Sequence, residues 1–199
     1  MKKVLLIALV TIGLSTTIHA GEFFVEASVG ELTLESSTAI NSGTPTKTTS
    51  TSTFQGITIA QYIDDYFISI SLSTITFEVD AAELSARPSY YISAAANYIV
   101  DNDSDFLPFG GVKLSYVSQE IGGYKSLGFD QDISTIQTVF VSANLGITYD
   151  ITEQLQFKAE YSHPLASIPV AVTLTQAGIT VDTEVEPKGS WSAGIIYNF

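Results

Sequence analysis

Four charged side chains draw attention by where they fall. Glu26, Lys113, Lys158 and Glu160 each interrupt the small polar face of a segment whose other face is aliphatic or aromatic. If those polar faces line a narrow interior, two acids and two bases meet there away from bulk water. An unpaired charge in such a place is expensive, so the four are expected to pair. The quartet could serve as a polar gate across a lumen or as a static plug that satisfies the interior. The plug is the preferred reading, because a small barrel has room inside for little beyond side chains.

Other candidates carry less. His163 is the only histidine beyond residue 20, and Ser162 stands beside it. Adjacent strand residues point to opposite faces, so these two cannot easily share a proton, and no catalytic residue is assigned. Asp101-Asn102-Asp103-Ser104-Asp105 imitates the start of a calcium loop, yet Phe106 stands where a glycine belongs and Val112 where a glutamate belongs. It reads as a solvated turn, and neither a metal nor a cofactor is expected. Lys47, Arg87, Lys125 and Lys188 put one cation in or beside each long connection. They are candidate contacts to the phosphates of an anionic glycolipid, with plain solvation as the equal alternative.

The segments that must position these groups alternate with period two, which is a strand signal that a helix cannot reproduce. Phe23-Val25-Ala27-Val29, Ile57-Ile59, Ile68-Ile70-Leu72 and Ile92-Ala94-Ala96 each keep one greasy face. Val112-Leu114-Tyr116, Val139-Val141-Ala143-Leu145-Ile147, Leu155-Phe157-Ala159-Tyr161 and Trp191-Ala193-Ile195-Tyr197-Phe199 do the same. The opposite faces are mostly Ser, Thr, Asn, Gly and Ala. A soluble sandwich would set its large residues against a partner sheet and charge its solvent face. Here the pattern predicts an all-β fold, an eight-stranded antiparallel up-and-down transmembrane β-barrel, with lipid outside and small polar groups within.

The connections support this. Asp64-Asp65, the 101–105 turn and the 150–154 turn are short, whereas 33–53, 77–89, 119–136 and 162–188 are long. Outer-membrane barrels sort their loops in this way, with short turns in the periplasm and long loops outside. An aromatic girdle is expected at the two water-lipid boundaries: Phe23, Tyr66, Tyr98, Tyr149, Tyr197 and Phe199 at one, Tyr90, Tyr116, Tyr161 and Trp191 at the other.

Some segments break the pattern. Ile75-Phe77-Val79 runs opposite in phase to Ile68-Ile70-Leu72, so the third strand either bulges near Ser73 or leaves the membrane there. Phe54 and Tyr62 point inward. Residues 36–53 hold twelve Ser and Thr and read as a mobile external loop. The stretches 170–174 and 179–181 flank Gln176-Ala177-Gly178 and could form a hairpin that extends the last two strands.

The chain opens with Lys2 and Lys3, an apolar run from Val4 to Leu14, and Ala20 at a position suited to cleavage. Residues 1–20 are therefore expected to be a cleaved signal peptide, too short in its apolar run to span a bilayer, and 21–199 the barrel.

The stretch from Gly146 to Tyr161 and the ending Trp191-Ser192-Ala193-Gly194-Ile195-Ile196-Tyr197-Asn198-Phe199 resemble the outer membrane protein A type barrel, in particular the opacity-family group of outer-membrane β-barrel domains. The resemblance implies that Trp191, Ala193, Ile195, Tyr197 and Phe199 form the C-terminal signal read by the outer-membrane assembly machinery. It also implies a bacterial outer membrane location and a surface role.

Composition narrows the rest. With 21 Asp and Glu against 8 Lys and Arg, the chain cannot hold nucleic acid by neutralising phosphates. With no Cys it has no disulfide frame and no thiolate chemistry. The functional expectation is a non-enzymatic envelope or surface-interaction barrel with a plugged lumen, in contact with outer-membrane lipid, glycolipid and the assembly machinery. The alternatives are a narrow porin-like channel for small or apolar solutes and, further off, a lipid-modifying barrel enzyme.

Overall fold

Strands that alternate oily and polar residues can satisfy every backbone group in a membrane only by closing on themselves. The computed structural model, which describes residues 23–77, 89–121, 134–168, 172–176 and 179–199, does this. Its strands are β1 (Phe23–Ile40), β2 (Thr46–Ile63), β3 (Tyr66–Phe77), β4 (Ser89–Ile99), β5 (Phe106–Ile121), β6 (Ser134–Asp150), β7 (Leu155–Ile168), β8 (Val172–Gln176) and β9 (Ile179–Asn198). Each pairs antiparallel with the next as far as β7, which pairs with β9, and β9 returns to β1. Eight strands thus close the wall. The short β8 belongs to a hairpin with the start of β9, as the sequence around Gln176 suggested.

The outward face is hydrocarbon-like. Leu145 is 68% exposed, and Ile57, Ile59, Ile68, Leu72, Val112 and Leu114 are exposed with it. A continuous apolar belt of this kind is tolerable only against lipid. Phe23, Tyr66, Tyr98, Tyr149, Tyr197 and Phe199 stand at the end bearing the short turns, with Tyr66 tilted against Tyr98 and Tyr197 edge-on to Phe199. Tyr90, Tyr116, Tyr161 and Trp191 lie toward the other end, where Tyr161 and Trp191 face each other across β7 and β9. At the usual strand tilt a residue advances about 2.6 Å along the barrel axis. The eight steps from Phe199 to Trp191 then span roughly 21 Å of membrane depth.

The phase break at Ser73 is not a bulge. β3 pairs regularly with β2 and β4 from Tyr66 through Ile75, so Ser73 and Ile75 both point inward and both are buried. What changes is the solvent outside. Beyond the second girdle the outward residues become polar, as in Thr33, Glu35, Thr53 and Thr74, while the inward ones become apolar, as in Leu32, Leu34, Phe54 and Ile75. There the wall leaves lipid for water and is built like a soluble barrel, with oil inside.

The stretch expected to be a mobile loop at 36–53 is ordered strand instead. β1 and β2 stay in register up to Thr38 and Thr46, and β9 follows β1 as far as Ile40. Threonine-rich segments are good strand formers once a partner supplies the ladder, and here β9 supplies it on the free side. Asn41 and Ser42 turn the chain with positive φ. The Asn41 amide donates to the Thr180 carbonyl at 2.7 Å, and the Thr180 amide to Asn41 Oδ1 at 2.8 Å. A four-stranded wall in the order β2-β1-β9-β8 therefore rises past the barrel rim.

Along the edge of β9 away from β1 the wall is interrupted. The last direct pair between β7 and β9 is Ser162 with Ser190, and pairing on that edge of β9 resumes only at Thr183 with β8. Pro164 and Pro187 lie on the two facing strands of this interval. Neither has an N–H to donate, which suits a place where a ladder stops. A further register shift in the β6–β7 ladder falls beside Val141 and Ser142.

Candidate functional site in the lumen

The inward face is not a uniformly small polar surface. It is layered, with a charged layer between two apolar ones. At the turn end Phe24, Ala60, Phe67, Phe109 and Ile196 pack together, with Tyr62 and Ile99 against them. Toward the loop end Leu32, Leu34, Phe54, Ile75, Tyr91, Val117, Phe140 and Val185 form a second cluster. Phe54 and Tyr62 do point inward, one in each cluster.

Between them lies the charge network. Lys158 Nζ is 3.0 Å from Glu26 Oε2 and 3.0 Å from Glu160 Oε2, and Glu160 Oε1 pairs with Lys113. Lys113 also donates to Ser162 Oγ at 3.1 Å, and that hydroxyl donates to Glu160 Oε1 at 3.2 Å. The two carboxylates keep only 2% and 3% of their side-chain surface accessible. Glu26 comes from β1, Lys113 from β5, and Lys158 and Glu160 from β7, so the quartet exists only because these three strands curl round one axis. Two charges of each sign cancel, which is what lets them share so dry an interior.

The way bulk is accommodated is visible at the glycines. An ideal Cβ at Gly146 would lie 2.1 Å from Phe109 Cζ, and one at Gly194 would lie 2.6 Å from Glu26 Oε1. Large inward side chains thus lie across a neighbouring strand's inward glycine, the only residue leaving room for them. The turn-end cluster also touches the charges. Lys158 Nζ sits 5.9 Å above the Phe67 ring centre and 5.6 Å above that of Phe109, within cation–π range.

Other sequence candidates fall as follows. Ser162 is buried in the lumen and His163 is exposed on the outer face, so no hydrogen bond can join them. The 101–105 turn is held by its own side chains, with the Asp103 amide donating to Asp101 Oδ1 and the Ser104 amide to Asn102 Oδ1, both at 3.3 Å. Lys47 and Lys188 converge on Glu35 Oε1, at 2.9 and 3.2 Å, and Lys188 also reaches Glu186 at 3.1 Å. Both cations therefore already have carboxylate partners. They hold the Glu35 carboxyl below the usual carboxylate range, and Glu186 and Glu35 hold the Lys188 ammonium above its ordinary value. Arg87, Lys125 and residues 1–20 lie outside the described residues. Trp191 Nε1 donates to Glu31 Oε2 at 2.9 Å, which anchors the lone tryptophan at the boundary.

The apolar clusters were missed in the sequence, although a signal exists. Phe23-Phe24, Tyr66-Phe67 and Tyr90-Tyr91 are aromatic doublets, and in a strand each doublet must send one ring to either face. A recess of about 740 Å³ lies on the wall around Ala27, Ile57, Leu72 and Ala193, residues of the lipid-facing side.

A family model described as outer membrane protein beta-barrel domain matches residues 6–199. Among solved structures the chain is similar to outer membrane protein OprG from Pseudomonas aeruginosa, with 16% identity and a TM-score of 0.61 over 90% of this chain and 96% of that one. It is also similar to Neisserial surface protein A, at 16% identity and TM-score 0.57 over 89% and 97% of the two chains. Outer membrane protein AlkL matches at 16% identity and TM-score 0.55, covering 93% of each. At such identities the likeness speaks for the fold alone. Comparison with curated proteins finds no match.

Proposed function

Since the chain belongs to the outer membrane protein β-barrel domain family, we propose that it is a closed barrel working from its outer surface, in envelope structure or surface contact, and not a diffusion pore. The lumen carries this reading: an ion-paired layer and two packed apolar clusters occupy the space that an aqueous path would need. In this reading the short turns face the periplasm, and the long loops with the β2-β1-β9-β8 wall face outward. That wall is a stiff, threonine-rich platform suited to contact with other surfaces. Lys188, three residues past Trp191 toward the loops, and Lys47, farther out along the wall, stand on the side where the phosphates of an outer-leaflet glycolipid would lie.

Planar-bilayer recording tests the closed barrel directly. The folded protein is expected to give no steady current, and a reproducible ohmic conductance would overturn the proposal. A second reading, a narrow channel for small or apolar solutes, draws on the interruption between β7 and β9, which leaves the wall unladdered just past Ser162. Uptake of such a solute into liposomes holding the protein would favour it.

We assign no catalysis to the chain. Ser162→Ala and His163→Ala are expected to change nothing in lipid composition of cells expressing the protein. The C-terminal strand, with Trp191, Ala193, Ile195, Tyr197 and Phe199 outward on alternate positions, fits the segment that the assembly machinery reads. Removal of Phe199 should lower the amount of folded barrel in the membrane without changing its fold.

A further inference from the structure

Three buried polar atoms in the charged layer have no hydrogen-bond partner among the described residues: Asn97 Nδ2, Asn144 Oδ1 and Ser142 Oγ. Their residues are no more than 1% exposed. They are close together by register. Asn97 lies opposite Gly111, Gly111 opposite Asn144, and Asn144 opposite Ser162, while Ser142 lies opposite Lys113. The Asn97 side chain lies across Gly111, where an ideal Cβ would fall 2.6 Å from its Oδ1, and it accepts a hydrogen bond from Asn144 Nδ2.

One orphan donor, one orphan acceptor and a hydroxyl that can be either define what fits there. A cation would be refused by the amide nitrogen and an anion by the amide oxygen, whereas water serves all three. The layer is capped below by the Phe67 and Phe109 rings against Lys158. Above, Tyr91 stacks on Phe140 with ring centres 6.4 Å apart and planes 4° from parallel. Its hydroxyl bonds Ser115 Oγ at 3.2 Å, so its polar end meets the layer.

We propose that the middle of the lumen is a water-holding chamber sealed at each end by its own apolar cluster, so that the barrel is shut by two dry constrictions in series and not by its ion pairs. Apolar constrictions exclude water and ions by dewetting, and either one is sufficient. The inference rests on the closed-barrel reading and adds to it where the barrier lies.

The test compares four proteins in planar bilayers, with a charge-layer variant as a fifth control, each checked for folding by its heat-dependent electrophoretic shift. They are the native chain, an upper-cluster variant (Tyr91→Ala with Phe140→Ala), a lower-cluster variant (Phe67→Ala with Phe109→Ala) and all four changes together. Steady current is expected from the last alone. Current from either two-site variant overturns the series arrangement. Current from Lys113→Met with Glu160→Gln on intact clusters overturns it too, by showing that the ion pairs are the barrier. Current from the native chain refutes the closed barrel itself, so the two failures are distinct.

Because the chain has no Cys, Ser142→Cys gives a second readout that needs only one cluster opened. A membrane-impermeant cationic methanethiosulfonate added from the loop side should leave it unmodified when the clusters are intact, and modify it at least tenfold faster once Tyr91 and Phe140 are truncated. Modification with both clusters intact, or no acceleration in the folded upper-cluster variant, overturns the proposal.

Discussion

Neutralising Glu160 while leaving its shape, as in Glu160→Gln, isolates the energetics of the charged layer. In the native lumen Glu160 partners Lys113 and Lys158, and Lys158 also has Glu26 at 3.0 Å. After the substitution two ammonium groups share one carboxylate, and Lys113 loses its partner in a site where its own side chain is 12% accessible. Removing one member of a buried pair costs about 3–5 kcal/mol, chiefly because the remaining charge stays desolvated. Adding Lys113→Met removes that charge and returns the layer to one Lys and one Glu. Because the cost lies chiefly in the charge left unpaired, removing that charge should recover much of the loss, and the double variant should be more stable than Glu160→Gln alone. Urea unfolding in phospholipid vesicles measures both. Trp191 is the only tryptophan, and its emission reports the loss of the boundary. If the double variant is as unstable as Glu160→Gln or more so, the lumen is not balancing charge and the argument for the quartet fails.

Other expectations follow from particular contacts. Gly146→Ala puts a Cβ 2.1 Å from Phe109 Cζ and 2.6 Å from the Ala159 carbonyl oxygen. With backbone on one side the ring must move, and a cost of about 1–3 kcal/mol in the same urea assay is expected. Gly110→Ala, whose Cβ would meet the flexible end of Leu145 at 3.1 Å and backbone only at 3.6 Å, should cost less. The Glu35 carboxyl, lowered by its hydrogen bonds to Lys47 and Lys188, contributes stability that is present above the unfolded carboxylate pKa and is lost as pH falls through the lower folded one. A carbon-detected NMR titration should place its midpoint below that of a free glutamate, and Lys188→Met should move it up. An unshifted midpoint would show that the cluster does not persist in solution. Lys188 is raised, so its share is complete below the unfolded lysine pKa and disappears as pH rises through the folded one.

Much of this protein could be read before folding it. Period-two alternation in eight segments is a local property, because neighbouring strand residues face opposite ways whatever surrounds them. It was therefore enough to tell lipid side from lumen side for residues such as Ile59, Leu145 and Glu26. The alternation of short and long connections likewise set which strands are neighbours. The sequence could not reveal which solvent lay outside a given stretch. Ile75 looks out of phase only if lipid is assumed beside it; with water there, the same phase buries it in the upper cluster. Residues 36–53, too polar to hold a core, became strand because β9 ran far enough to pair with β1, a partner nearly 150 positions away. The layering of the lumen was hidden for the same reason. Phe67 and Phe109 face Lys158, and Glu26 faces Gly194, only when the sheet closes, and how bulk is shared across a closed wall depends on shear and register, which no single strand contains.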